Sequence, residues 1–138
     1  MTFRISGLNH LGLVVQDIDI AKDFFVRVLG LKKIEDRGGM VFLLAGQDVI
    51  AIKTPEWAVS NPEHVKIDRM PKDRSGWQSL DHYGFYASKP EEVDALAQVL
   101  RDNGIEIIKG PYDRSDGRSV YFRDPCGNIG EYLYFKPA

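Results

Sequence analysis

Two histidines and one glutamate carry the first chemistry this sequence offers. His10 sits in LNHLGLVV (8–15) and His82 in LDHYGFYA (80–87), 72 positions apart (82 − 10). Each segment runs Leu, then Asn or Asp, then His, a large apolar residue, Gly, and further apolar positions in alternation. Neutral imidazole is the commonest metal ligand among side chains, although a single strand histidine is more often just a packed ring. Glu131 lies in IGEYLYF (129–135), which otherwise reads as a buried strand. A carboxylate there is costly unless it is paired or bound to a cation. Two His and one carboxylate make a ligand set that leaves coordination positions open. The alternative for Glu131 is a solvent-facing place at a sheet edge, with Tyr132 turned inward.

These residues need elements to bring them together, and the two histidine segments belong to a longer repeat. After LNHLGLVV, whose Leu8, His10, Gly12 and Val14 share one face, Asp17 is an N-cap for a helix. Ile18, Ala21, Phe24, Phe25, Val28 and Leu29 form its apolar stripe, and Gly30 ends it. Strands are expected over Leu31 to Asp36, Met40 to Ala45 and Asp48 to Lys53. In the second copy, Ser88 and Glu91 form a capping box with Pro90 in the first turn. Val93, Leu96, Ala97 and Leu100 make the helical stripe, and Gly104 closes it. Strands follow over Ile105 to Lys109, Ser119 to Arg123 and Ile129 to Phe135.

The pattern is β-α-β-β-β twice, and aligning VIAIK (49–53) with IGEYL (129–133) sets Ala51 opposite Glu131. The expected fold class is therefore α+β, with two tandem modules forming curled mixed sheets around a metal cavity. Module one is expected over 6–54, a connecting loop over 55–79 and module two over 80–136, all within one domain spanning 1–138. Neither module buries its concave apolar face alone, so they are expected to cup together or against a partner chain. That would bring His10 and His82 to one cavity. The connecting stretch is unusually long for a loop inside a compact domain; it carries Trp57, His64, Arg69, Met70, Arg74 and Trp77, and is read either as a cover for the cavity or as a plain linker.

Bulk properties restrict the function classes. At 138 residues, with 43% hydrophobic and 28% charged residues, the chain suits one soluble domain. Its net charge of −2 is spread along the sequence, which gives no nucleic-acid or anionic-membrane surface. No apolar run approaches the ~18 residues of a membrane helix, and MTFRISGLNH has no secretory character. Cys126, the single cysteine, excludes an intrachain disulfide and suits a reducing cytoplasm. It falls in DPCGN (124–128), a tight turn in which nothing nearby marks the thiol as a nucleophile.

The doubled β-α-β-β-β pattern, with NHLGLVV, DHYGFYA, VYFRDPCGN and GEYLYF, resembles the vicinal oxygen chelate superfamily. That group holds glyoxalase I, extradiol ring-cleavage dioxygenases, fosfomycin-resistance thiol transferases and bleomycin-binding proteins. The resemblance implies that His10, His82 and Glu131 fall on the metal-ligand positions, for one divalent ion such as Fe, Mn, Zn or Ni. Ala51 falls where glyoxalase I carries a fourth, carboxylate ligand, which counts against that reaction and leaves a three-ligand site. The ion would take two neighbouring oxygens of a small substrate, with dioxygenase-type chemistry favoured over lyase, isomerase or thiol-transferase chemistry.

Tyr121, ten residues before Glu131, is at a spacing similar to that of a tyrosine reaching the substrate oxygen in the dioxygenases and the fosfomycin enzymes. The other reading of Tyr121 is a packed core ring. His64 is the candidate acid–base histidine that a ring-cleaving dioxygenase needs; an exposed loop histidine is the alternative. Trp77 is a candidate cavity-lining residue. Arg118 belongs to a polar loop (113–118) that resembles the phosphonate-holding loop of the fosfomycin enzymes. The chain is expected to lack the C-terminal arginine segment of that group. A homodimer is expected, as is common among short members. A non-enzymatic binder of an aromatic drug or metabolite is the rival class.

Overall fold

A computed structural model describes residues 2–60 and 80–137 of the protein. The described residues divide between two compact units, one on each side of the 61–79 stretch. Each is built from a β-α-β-β-β run, as the repeat predicts.

In the first unit, β1 (His10–Val14) leads to helix α1 (Ile18–Lys22), then to a π-helical segment (Asp23–Val28). The strands β2 (Lys32–Asp36), β3 (Met40–Ala45) and β4 (Asp48–Lys53) follow, and the sheet order is β1-β4-β3-β2. Asp17 caps α1 as expected, its carboxylate accepting from the N–H groups of Asp19 and Ile20 at 3.0 and 3.1 Å. The predicted helix is continuous but changes form in its second half. Leu29 N–H bonds to the Phe24 carbonyl, five residues back. An α-helix turns ~100° between neighbours. The wider π turn lets the adjacent Phe24 and Phe25 both reach the core, where they meet edge to face at 5.1 Å. With Ala21 and with Leu13, Val41, Leu43, Ile50 and Ile52 of the strands, they account for most of this unit's buried apolar side chains.

The stretch expected to be a loop from 55 begins instead with helix α2 (Pro55–Ser60). Thr54 starts it, its Oγ1 accepting from Trp57 N–H at 3.2 Å, and Pro55 fits a first turn where no N–H is required.

In the second unit, β5 (Tyr83–Tyr86) precedes helix α3 (Pro90–Asp102), and then come β6 (Glu106–Arg114), β7 (Gly117–Arg123) and β8 (Ile129–Phe135). The order β5-β8-β7-β6 repeats that of the first sheet. In both sheets the first strand runs parallel to the last, and the other pairs are antiparallel. Helix α3 packs Val93 and Ala97 against Ala87 and Val120, with Ile107, Tyr132 and Tyr134 around them.

Three local expectations change here. The expected capping box does not form: Lys89 is the N-cap, and Ser88 ahead of it bonds Glu92, not Glu91, its N–H donating at 2.7 Å and its Oγ at 2.8 Å. Pro90 takes the first helical position, which makes Glu92 the third. The polar stretch 113–118 is a tight hairpin, not an open loop, because β6 runs on to Arg114 and β7 begins at Gly117. Gly117 lies so close to the Tyr134 carbonyl that no Cβ would fit. β6 also runs past Pro111, which an edge strand with irregular pairing tolerates. Among the described residues, no helix is long and apolar enough to cross a membrane.

Candidate metal centre

Strand alternation assigns the faces of the second sheet. Val120, Tyr132 and Tyr134 lie toward α3, so Ser119, Tyr121, Glu131, Leu133 and Phe135 line the opposite face. In β8, Glu131 pairs in register with Gly84 of β5 on one side and with Tyr121 of β7 on the other. The first sheet repeats this register with Gly12 opposite Ala51, so Ala51 and Glu131 occupy equivalent places.

Glu131 is only 4% exposed, which answers the open question between a solvent-facing and an inward carboxylate. Its two oxygens have different surroundings. Oε2 accepts from Ser119 Oγ at 2.6 Å and from Arg114 Nη1 at 2.9 Å. Oε1 faces His82 Nε2 at 3.2 Å. Behind the imidazole, Nδ1 lies 2.6 Å from the Asp81 carboxylate. An ionised carboxylate only accepts, so Nδ1 carries the proton and donates it. In the neutral ring, Nε2 then presents a lone pair toward Oε1. Two acceptors held face to face call for a cation between them, either a proton on the ring or a metal ion.

The spacing of this pair would suit a divalent metal ion. Two donors each ~2.1 Å from one ion, at roughly right angles, stand about 3 Å apart. The carboxylate-to-histidine bond behind the ring is the usual support for a metal-bound imidazole.

Tyr121 stands beside this pair, its ring 5.5 Å from that of His82 at 70°. Its phenol titrates above its ordinary range, first because it is partly buried and then because it bonds and lies close to the Glu131 carboxylate. The phenol therefore stays protonated at neutral pH. Arg114 is clamped from the other side by Asp116, with Nε to Oδ1 at 2.9 Å. Burial works against its charge, but Asp116 and Glu131 outweigh that and hold it protonated.

The sequence-predicted residues divide as follows. His82, Glu131 and Tyr121 come together in the second unit. His10 opens β1 of the first unit, with Nδ1 2.7 Å from Asn9 Oδ1, so both histidines take the same support from the residue before them. Among the described residues, no three His, Cys, Asp or Glu side chains are gathered as a metal-holding group. His64 and Trp77 lie outside the described residues.

Arg118 faces away from His82, Glu131 and Tyr121. It points to the helix face of β7, where Asp94 of α3 takes it bidentately at 2.7 and 2.9 Å and Asp113 accepts from it at 2.9 Å. Strand alternation turns it away from Ser119 and Tyr121, and Arg114 reaches the centre in its place. Arg114, Ser119 and Asp81 escaped the sequence reading. Ser119 was open to it, standing two residues before Tyr121 on the same strand face. Asp81 was open to it as the repeat partner of Asn9. Arg114 depends on the hairpin register and left no such signal.

A family description, Glyoxalase/Bleomycin resistance protein/Dioxygenase superfamily, matches residues 7–132. The chain belongs to this superfamily. Its relatives in the superfamily include a manganese-dependent 2,3-dihydroxybiphenyl 1,2-dioxygenase of Geobacillus genomosp. 3, 26% identical over 97% of this chain. That match covers 38% of the dioxygenase, so the chain spans about two-fifths of that relative's length. The fosfomycin resistance protein FosX of Listeria monocytogenes is 29% identical over 87% of this chain and 83% of its own length. A solved structure of a FosX mutant from that organism, complexed with Mn(II) and 1S,2S-dihydroxypropylphosphonic acid, superposes with a TM-score of 0.69. It is 25% identical and covers 94% of this chain and 90% of that one. Superfamily relatives thus include metal-dependent enzymes with different reactions.

Proposed function

We propose that this superfamily member is a divalent-metal-dependent enzyme that binds two neighbouring oxygens of a small substrate, with dioxygenase-type chemistry. His10, His82 and Glu131 are the proposed ligands of one ion. The observation that carries the reading is the His82–Glu131 pair, in which a supported imidazole lone pair faces a buried carboxylate oxygen at 3.2 Å. A bound Mn or Fe ion supplies Lewis acidity and a meeting place for the substrate's oxygens. The chain's own groups do the rest. Asp81 keeps the proton on Nδ1 of His82, so Nε2 stays a ligand. Tyr121, which stays protonated beside Glu131, is the proposed donor to the oxygen that becomes anionic. Arg114 and Ser119 hold the Glu131 carboxylate in orientation. The proposed assembly is a homodimer in the cytoplasm, where Cys126 stays reduced.

A second reading has its own support: FosX matches this chain over most of its own length, whereas the dioxygenase does not. On that reading the same oriented groups serve nucleophilic opening of an epoxide. Elemental analysis of the purified protein, alongside Glu131→Ala and His82→Ala, is the first test. About one Mn or Fe per chain, lost in both variants, supports the metal reading. Oxygen uptake with catechols then supports the dioxygenase, and consumption of an epoxide phosphonate without oxygen uptake supports the second reading. Failure to bind any divalent ion would leave the non-enzymatic binder.

A further inference from the structure

Resting on the reading of His82 and Glu131 as metal ligands, we infer that Arg114 and Ser119 act together as positioning residues that make Glu131 a one-oxygen ligand. A free carboxylate has two oxygens and can give both to one ion. Here Oε2 is already taken twice, by Ser119 Oγ at 2.6 Å and by Arg114 Nη1 at 2.9 Å. An oxygen of an ionised carboxylate has about two lone-pair sites, so these donors use both. Oε1 is the oxygen turned to His82.

Neither donor is free to leave. Ser119 is fully buried in the middle of β7. Arg114 is gripped along its far edge, Nε to Asp116 Oδ1 at 2.9 Å and Nη2 to Asp116 Oδ2 at 3.2 Å, which fixes the plane of the guanidinium. The hairpin turn therefore locks the ligand. The consequence for the substrate is direct: a coordination position that a two-oxygen Glu131 would fill stays open. A site that must receive two adjacent oxygens of one molecule needs that position.

The readout is the number of water molecules on bound Mn(II), taken from water-proton relaxation of the full-length loaded protein. The double variant Arg114→Gln with Ser119→Ala frees Oε2, and one fewer bound water per Mn(II) is expected as the second oxygen enters. Arg114→Lys keeps a charged donor on Oε2, and the wild-type water count is expected. If the double variant does not fold, Arg114→Gln alone is read the same way. A water count unchanged from the wild type in the variant that frees Oε2 overturns the inference while leaving Glu131 a ligand. A wild-type protein that takes up no Mn(II) overturns the metal reading and the inference with it.

Discussion

Nε2 of His82 and Oε1 of Glu131 face each other across 3.2 Å, and each is held from behind by a residue of opposite hydrogen-bonding character. Asp81 fixes the proton on the far nitrogen of the ring, and Ser119 with Arg114 occupies the far oxygen of the carboxylate. The parallel pairing of β5 with β8, with Gly84 in register with Glu131, sets the two side by side. Glu131→Gln keeps the shape but removes the charge. Metal retention should be lost on elemental analysis. Stability should fall by only about 1–2 kcal/mol in a denaturant titration, since Arg114 keeps Asp116. An amide variant that still holds the metal would contradict the ligand assignment.

Tyr83 donates its hydroxyl to Asp124 at 2.8 Å, and both groups are buried. The other Asp124 oxygen accepts from the N–H groups of Cys126 and Asn128, so this carboxylate organises the DPCGN turn ahead of β8. Tyr83→Phe should cost about 1–3 kcal/mol. Burial raises the Asp124 pKa, and the Tyr83 bond pulls against that rise. A carboxyl raised in the folded state favours folding when protonated, a contribution fully present below its unfolded value of about 3.9 and lost as pH rises through the folded one. The variant leaves a less-solvated carboxylate at neutral pH, so its penalty should be larger at pH 7 than at pH 4. Equal penalties at the two pH values would argue against a charged Asp124.

Asp36, on the edge strand β2, titrates in the opposite direction. The Gly38 N–H first, then Lys33 and Lys22, hold its carboxyl down at about 2. The stability it contributes is present above the unfolded value of about 3.9 and is lost as pH falls through about 2. Asp36→Asn should therefore melt below the wild type at pH 5, and the gap should narrow steadily as pH falls toward 2. A gap independent of pH would mean that the charge is not what stabilises.

Arg118 ties β7 to α3 through Asp94. Arg118→Gln should lower stability by about 1 kcal/mol, as expected for a largely surface ion pair of good geometry. Metal content and substrate turnover should stay at wild-type levels. A selective rise in KM with no change in melting temperature would return Arg118 to the substrate site.

Much of this protein is legible in its sequence because the repeat is written into it. Strand alternation, Asp17 as a cap and glycines at helix ends are local rules, and the duplicated β-α-β-β-β run obeys them twice. The alignment of Ala51 with Glu131 follows from the same repeat and reappears as the matching Gly12–Ala51 and Gly84–Glu131 registers. A buried carboxylate in an apolar strand is equally legible, since burial without a partner is too costly.

Tertiary structure alone decided which arginine serves that carboxylate. Arg114 and Arg118 both lie in one polar stretch, and composition does not separate them. The two-residue hairpin pairs Arg114 with Gly117 and turns Arg118 to the opposite face from Ser119, because side chains alternate across a strand. A hairpin shifted by one residue would reverse the assignment. The π-helical turn is similar: spacing predicts a helix over Phe24 and Phe25, but only packing both rings into one core decides its width. Local chemistry thus pointed to the proposed ligands, and strand register chose the groups that surround Glu131.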